Sequence, residues 1–172
     1  IAKFINTQAQ ELLDANVRLR IIGRRDRFAD DLCAATQDLE KRSSKNTGLN
    51  LTVALDYGGR QDIATAALAV AKEVEAGMLT ADDVNDDLLK SRMSTKIMPS
   101  VDLLIRTGGE KRLSNFLLWD LSYAELFFSD KLWPDFTRRD LFDAITSFQG
   151  RQRRFGGDHT DSDQTLRVVA SD

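Results

Sequence analysis

The stretch Arg106-Thr107-Gly108-Gly109-Glu110-Lys111-Arg112-Leu113-Ser114-Asn115 concentrates anion-binding chemistry more densely than any other part of the sequence. Arg106 and Arg112 carry planar donor forks that match phosphate oxygens and pair with them through charge-assisted bonds. Ser114 adds a hydroxyl, and the Leu113 amide is a further candidate donor. Adjacent glycines at Gly108 and Gly109 let the backbone turn tightly and approach a ligand with no Cβ in the way. Upstream, Val101 to Ile105 is almost wholly apolar, the pattern of a strand buried on both faces. Downstream, 114–122 reads as a helix. That would set Ser114 and Asn115 at a helix N-terminus, where unpaired amides and the positive dipole end suit an anion. Ligands of α/β sheets bind beyond the C-terminal ends of strands, which is where this loop falls. A phosphate group is the kind of anion these donors fit. Neither G-x-x-x-x-G-K-[ST] nor G-x-G-x-x-G occurs, so the common nucleotide loops are excluded. An ordinary strand and turn with surface charges uses the same residue types, and the physics alone weighs the two readings evenly.

The elements that must position this loop alternate between helical and extended spacing. Residues 3–15 place Phe4, Ile5, Leu12 and Leu13 on one helical side, followed by an expected strand from Val17 to Ile22 closed by Gly23. In that strand Val17, Leu19 and Ile21 face one way, and Arg18 and Arg20 the other. Residues 28–41 return to helical spacing, and the polar cluster from Arg42 to Gly48 is a loop. Leu51 to Leu55 is a short strand leading into Tyr57-Gly58-Gly59-Arg60. The next helix carries Ile63, Ala67, Val70 and Val74, with Gly77 as its stop. Thr80 is expected to cap a short acidic helix bearing Val84 and Leu88. Pro99 breaks the chain before the Val101 strand, and Glu125 to Phe128 forms the last strand. Thr137 and Asp140 make a capping box for a helix with Leu141, Ile145 and Phe148. This order predicts an α/β fold with a mainly parallel sheet flanked by helices. It predicts a single domain over 1–157 and a loose polar tail over 158–172.

At 172 residues the chain can bury a sizeable core. Its 42% apolar and 30% charged content is that of a soluble globular protein. A formal charge of −3 argues against a general nucleic-acid binder. The single cysteine, Cys33, cannot close an intramolecular disulfide, so a reduced, cytoplasmic setting is expected. No stretch approaches the roughly 18 apolar residues of a membrane span.

The run from Asp102 to Trp119 closely resembles the signature of the cis-prenyltransferases, specifically the undecaprenyl diphosphate synthase type. The resemblance continues through Tyr123-Ala124-Glu125-Leu126-Phe127-Phe128, Leu132-Trp133-Pro134-Asp135-Phe136 and Arg151-Gln152-Arg153-Arg154-Phe155-Gly156-Gly157. Upstream, the segments 16–23 and 57–60 also match. The resemblance implies Mg²⁺-dependent condensation of isopentenyl diphosphate with an allylic diphosphate such as farnesyl diphosphate. The product would be the cis-polyprenyl (undecaprenyl) diphosphate that serves cell-wall lipid carrier synthesis. It implies that Arg106, Arg112, Leu113 and Ser114 bind isopentenyl diphosphate, that Glu125 helps bind the metal, and that Arg154 and Gly156 reach across a homodimer. It implies a cytoplasmic enzyme that touches membrane through its lipid product. Trp119, Phe127, Phe128 and Trp133 are expected in the core or the dimer interface. Glu110 is read as a structural acceptor of the loop and stays outside the site.

Departures from the family pattern qualify this. The family's catalytic P-loop, D-G-N-G-R-W, and its S-x-E-N-W motif do not occur in these residues, so this chain alone is expected to be inactive, with no catalytic residue of its own. The alternative reading is a non-catalytic partner subunit of a prenyltransferase. Asp56 stands where the family usually has Asn or Ser, and Asp120 and Ser122 replace Gln and Ala.

Overall fold

The computed structural model describes residues 2–150. Five α-helices and four strands make up the described residues. They are α1 (Ala2–Asp14), β1 (Arg18–Ile22), α2 (Asp30–Ser43), β2 (Asn50–Ala54), α3 (Gly59–Glu75), α4 (Asp86–Arg92), β3 (Leu103–Arg106), β4 (Glu125–Phe128) and α5 (Arg138–Gln149). Both strand pairings are parallel, as the alternation of elements requires, but they form two separate pairs. In one, β1 lies beside β2 with Arg18 opposite Asn50; in the other, β3 lies beside β4 with Leu103 opposite Glu125.

Alternation within β1 does what the sequence implies. Val17, Leu19 and Ile21 are buried while Arg18 and Arg20 stay partly exposed. Leu19 and Ile21 join Ala9 of α1 and Leu39 of α2 in one core, against which Leu12, Leu13, Phe28, Leu51 and Val53 pack. Among the described residues, the outer edge of β1 is met by side chains. Ser43 Oγ accepts the Leu19 amide at 3.1 Å, and Glu40 Oε1 accepts the Ile21 amide at 2.8 Å. Arg25 completes the seal, pairing with Glu40 at 2.7 Å and donating to the Ile21 carbonyl at 2.8 Å. An edge so occupied is a poor template for pairing with another chain.

A second core joins the two strand pairs. Ile22, Leu117 and Leu121 are buried there, with Ala54, Leu104, Leu113 and Val101 packed around them. Its polar neighbour is an ion pair between Lys90 and Asp120, whose carboxylate side chain is only 2% exposed. Lys90 Nζ also donates to the Thr95 carbonyl and hydroxyl, so one ammonium ties the end of α4 to the 117–122 segment.

Three expectations are corrected. Residues 114–122 form a run of turns, not a helix. Ser114 (φ 48°), Asn115 (φ 65°) and Leu117 (φ 43°) are all left-handed, a conformation that an α-helix of L-residues does not contain. Thr80 caps only the single 3₁₀ turn Ala81–Asp83, and the acidic helix beyond it starts afresh with Asn85 as its cap, accepting the Leu88 amide at 2.9 Å. The third strand starts at Leu103, two residues later than expected; its side chains are half-buried, and among the described residues β4 is its one strand partner. The capping box of α5 forms as expected from Thr137 and Asp140.

Candidate functional site

Arg106 is the last residue of β3, and the phosphate-type loop leaves directly from it. The guanidinium folds back over its own loop. Nη1 donates to Ser114 Oγ at 2.9 Å and to the Arg112 carbonyl. These two bonds tie Arg106 to the Ser114 hydroxyl and to the Arg112 main chain, while the Arg112 side chain itself stands 71% exposed. Behind Arg106 and Ser114 opens a cavity of about 280 Å³ walled by Leu104, Ile105, Leu113 and Phe116. Its lining thus combines an apolar wall with one cation and one hydroxyl, a combination suited to a ligand with an anionic head and a hydrocarbon tail.

The glycines serve a different purpose from the one expected. Gly108 (φ 87°) and Gly109 (φ 75°) do adopt backbone that a side chain would strain. Their amides, however, donate to the Lys131 carbonyl at 2.7 Å and the Ser129 carbonyl at 3.0 Å, while the Ser129 amide donates to the Arg106 carbonyl at 2.8 Å. The tight turn extends the β3–β4 pairing and docks the loop on 129–131; those two amides do not point into the site.

Asn115 likewise belongs to another element. Its carbonyl accepts the Gly59 amide at 2.7 Å, and its side-chain Oδ1 accepts the Arg60 amide at 2.8 Å. The N-terminus of α3 is therefore capped by a residue 55 positions away. Gly58 and Gly59 permit the approach. A Cβ on Gly58 would meet Asn115 Nδ2 at 2.8 Å, and one on Gly59 would meet Leu118 Cγ and its backbone nitrogen at 3.0 Å. The Tyr57-Gly58-Gly59-Arg60 stretch and the Ser114-Asn115 stretch are two halves of one contact. No single-sequence signal links them.

Glu110 is an acceptor of the loop, as expected. Its carboxylate pairs with Arg112 at 2.7 Å and lies 4.0 Å from Arg106, so it is the internal counter-ion of both arginines. Glu125 behaves differently. It sits opposite Leu103, three residues and about 10 Å of strand from the Phe128–Arg106 end. Among the described residues no group of three or more His, Cys, Asp or Glu gathers to hold a metal ion. Glu125 could therefore hold Mg²⁺ only together with oxygens from a bound phosphate group. Arg154 and Gly156 lie outside the described residues, as do Arg151 and Arg153. Trp119, Phe127 and Phe128 are half-buried, whereas Trp133 is 73% exposed and stacks on Phe136, so it is no part of the core.

A larger cavity, about 540 Å³, opens beyond the C-terminal ends of β1 and β2, between Arg24, Tyr57, Asp62, Arg92 and Ser94. Most of its charges are already engaged. Arg24 pairs with Asp26 at 2.8 Å, Arg92 with Glu73 at 2.8 Å, and Asp62 accepts from the Ser94 amide and hydroxyl at 2.9 Å. Burial, with the charges of Asp62 and Asp120, pushes the Tyr57 phenol well above its ordinary range, so it remains a donor to Asp62. Arg106 and Ser114 remain the better-placed anion receptors.

Residues 1–156 match the family model described as "Putative undecaprenyl diphosphate synthase". The chain belongs to the cis-prenyltransferase family. An isoprenyl transferase of Geobacillus kaustophilus is 46% identical over 155 residues, covering 90% of this chain and 60% of that protein. A ditrans,polycis-undecaprenyl-diphosphate synthase ((2E,6E)-farnesyl-diphosphate specific) of Aliivibrio fischeri is 45% identical, covering 88% of this chain and 59% of that protein. The chain thus spans about 60% of the length of these cis-prenyltransferase relatives. Among solved structures, lavandulyl diphosphate synthase from Lavandula x intermedia, in complex with dimethylallyl diphosphate, superposes with a TM-score of 0.87 at 38% identity. That match covers 91% of this chain and 68% of the other. Cis-prenyltransferase membership accounts for the mixed α/β architecture with parallel pairing.

Proposed function

We propose that this chain supplies the isopentenyl diphosphate subsite of a Mg²⁺-dependent cis-prenyltransferase that makes undecaprenyl diphosphate for lipid carrier synthesis. The observation that carries the reading is Arg106 held against Ser114 at the mouth of the apolar cavity formed by Leu104, Ile105, Leu113 and Phe116. In this reading Arg106, Arg112, Ser114 and the Leu113 amide hold the diphosphate, and the apolar wall orients the five-carbon alkene. Holding that alkene near the carbon of an allylic diphosphate converts an encounter between two substrates into a single-complex reaction. The name of the Aliivibrio relative supports farnesyl diphosphate as the allylic partner. The bound dimethylallyl diphosphate named for the lavender enzyme supports a diphosphate site on this fold.

Magnesium enters this reading as a companion of the diphosphate oxygens, for Mg²⁺ takes one or two carboxylates together with substrate phosphates. Glu125 is the carboxylate proposed to share it. The proposed homodimer, with Arg154 and Gly156 reaching the neighbouring site, is checked by light scattering. The proposed location is cytoplasmic, with membrane contact through the lipid product; no helix of the described residues is long and apolar enough to cross a membrane.

The test is a calorimetric titration with isopentenyl diphosphate. Arg112→Ala is expected to weaken binding by on the order of 1.5–3 kcal/mol through loss of a charge-assisted bond. An unchanged affinity would move the site elsewhere.

A further inference from the structure

We propose that Asp140, acting through Lys131, is a positioning residue for the diphosphate loop; the inference rests on the reading of that loop given above. The Gly108–Gly109 turn decides where Arg106 leaves β3, yet it has no side chains to hold it. A Cβ built on Gly108 would find nothing within 4 Å, so no packing fixes the turn from that side. What fixes it is the pair of main-chain bonds to the Lys131 and Ser129 carbonyls. Segment 129–131 is therefore the template on which the loop is laid.

That template is itself tied to α5. Lys131 Nζ donates to Asp140 Oδ1 at 2.6 Å. Asp140 Oδ2 accepts the Thr137 amide at 2.8 Å and the Thr137 hydroxyl at 2.6 Å. The Asp140 side chain is 17% exposed and sits in the first turn of a helix, where a carboxylate is favoured by the dipole as well as by the cap. The order of transmission is then Asp140 to the Lys131 ammonium, Lys131 carbonyl to the Gly108 amide, and the turn to the Arg106 guanidinium. Three hydrogen bonds from Lys131 and Thr137 on one carboxylate make Asp140 the rigid end of this chain. The Lys131 pairing, joined by both Thr137 bonds, draws the Asp140 carboxyl far below its ordinary value, so the lock stays charged throughout the neutral range.

Lys131→Met separates this role from simple stability. It keeps the Lys131 carbonyl and the Thr137–Asp140 cap, and removes only the ammonium. Inorganic diphosphate is expected to bind the variant about three- to fivefold more weakly, the change that loss of one partly exposed ion pair allows. Amide exchange at Gly108 and Gly109 should speed up, while the Tm changes no more than for an ordinary surface substitution. Lys131→Arg should restore both readings. Asp140→Asn, which retains an acceptor for the Thr137 cap, should reproduce the Lys131→Met effect. Unaltered Gly108 exchange and diphosphate affinity in a folded Lys131→Met protein would overturn the inference. Failure of the unmodified chain to bind diphosphate would instead count against the subsite reading, and Gly108 exchange would still decide whether the lock exists.

Discussion

The two arginines of the proposed site have different surroundings. The Arg106 side chain is 25% exposed and bonded to Ser114 and to the loop's own backbone, so its donor fork is aimed before any ligand arrives. Arg112 is 71% exposed and restrained chiefly by Glu110. A preorganised cation loses little freedom on binding, whereas the exposed one must leave its internal partner. Glu110→Gln is therefore expected to tighten inorganic diphosphate binding by up to about 1 kcal/mol, the range of an exposed ion pair. The gain should shrink as salt is raised, and titration at two ionic strengths checks it; weaker binding in the variant would make Glu110 a structural support of the loop instead. Residue types proposed Arg106, Arg112 and Ser114 as ligand groups and Glu110 as an acceptor of the loop. That Glu110 lies near both arginines needed the fold, because a carboxylate beside an arginine has no sequence mark that separates a counter-ion from a solvated charge.

At the scale of elements, the proposed site depends on contacts between segments that lie far apart in sequence. Asn115 capping α3 is the strongest, with two bonds and the close approach of Gly58 and Gly59 behind it. Asn115→Ala should destabilise the fold by about 2–3 kcal/mol, combining a lost helix cap with a left-handed residue that Ala tolerates poorly. Gly59→Ala should cost about 1–3 kcal/mol, since its methyl would press on Leu118 in a packed core. Urea denaturation of the two variants measures both. The capping boxes and the Glu73–Arg92 pair add an acid dependence. Asp140 is held down by Lys131 and then Thr137, Asp83 by Thr80, and Glu73 by Arg92. Each folded-state value lies below the unfolded one, so the unfolded chain binds more protons as acid is added. Their contribution is complete above the ordinary values of 3.8 and 4.5 and is lost as pH falls through the lowered ones. Stability should therefore decline below about pH 4.5, and Asp140→Asn should flatten part of that decline. Helix and strand periodicity made most elements legible; 114–122 was not, because its residue composition suits a helix and only the tertiary demand on Asn115 forces the left-handed turns.

For the whole molecule, the second core decides how the two strand pairs are held together. Ile22 and Ala54 come from the first pair and Leu104 from the second, with Leu117 and Leu121 between them. The Lys90–Asp120 pair lies under this junction, and Asp120 Oδ2 is buried with no hydrogen-bond partner. Asp120→Ala is expected to destabilise by on the order of 3 kcal/mol, because it leaves the largely buried Lys90 ammonium with only its Thr95 bonds and no counter-ion. Exchanging Lys90 and Asp120 together for Met and Leu should recover most of the loss. A single Asp120→Ala with wild-type stability in thermal unfolding would show the pair to be dispensable.

The sequence by itself determined the family, the parallel α/β character, the end of β3 as the place where Arg106 and its loop emerge, and the cap of α5. Those features rest on local spacing, or on long runs of matched residues, and both are written along the chain. The tertiary structure alone decided that the glycine turn docks on Lys131, that Asn115 serves α3 rather than a helix of its own, and that Glu110 already occupies the arginines. Each of these is a bond between atoms brought together by folding, and periodicity carries no information about which distant amide will need a partner.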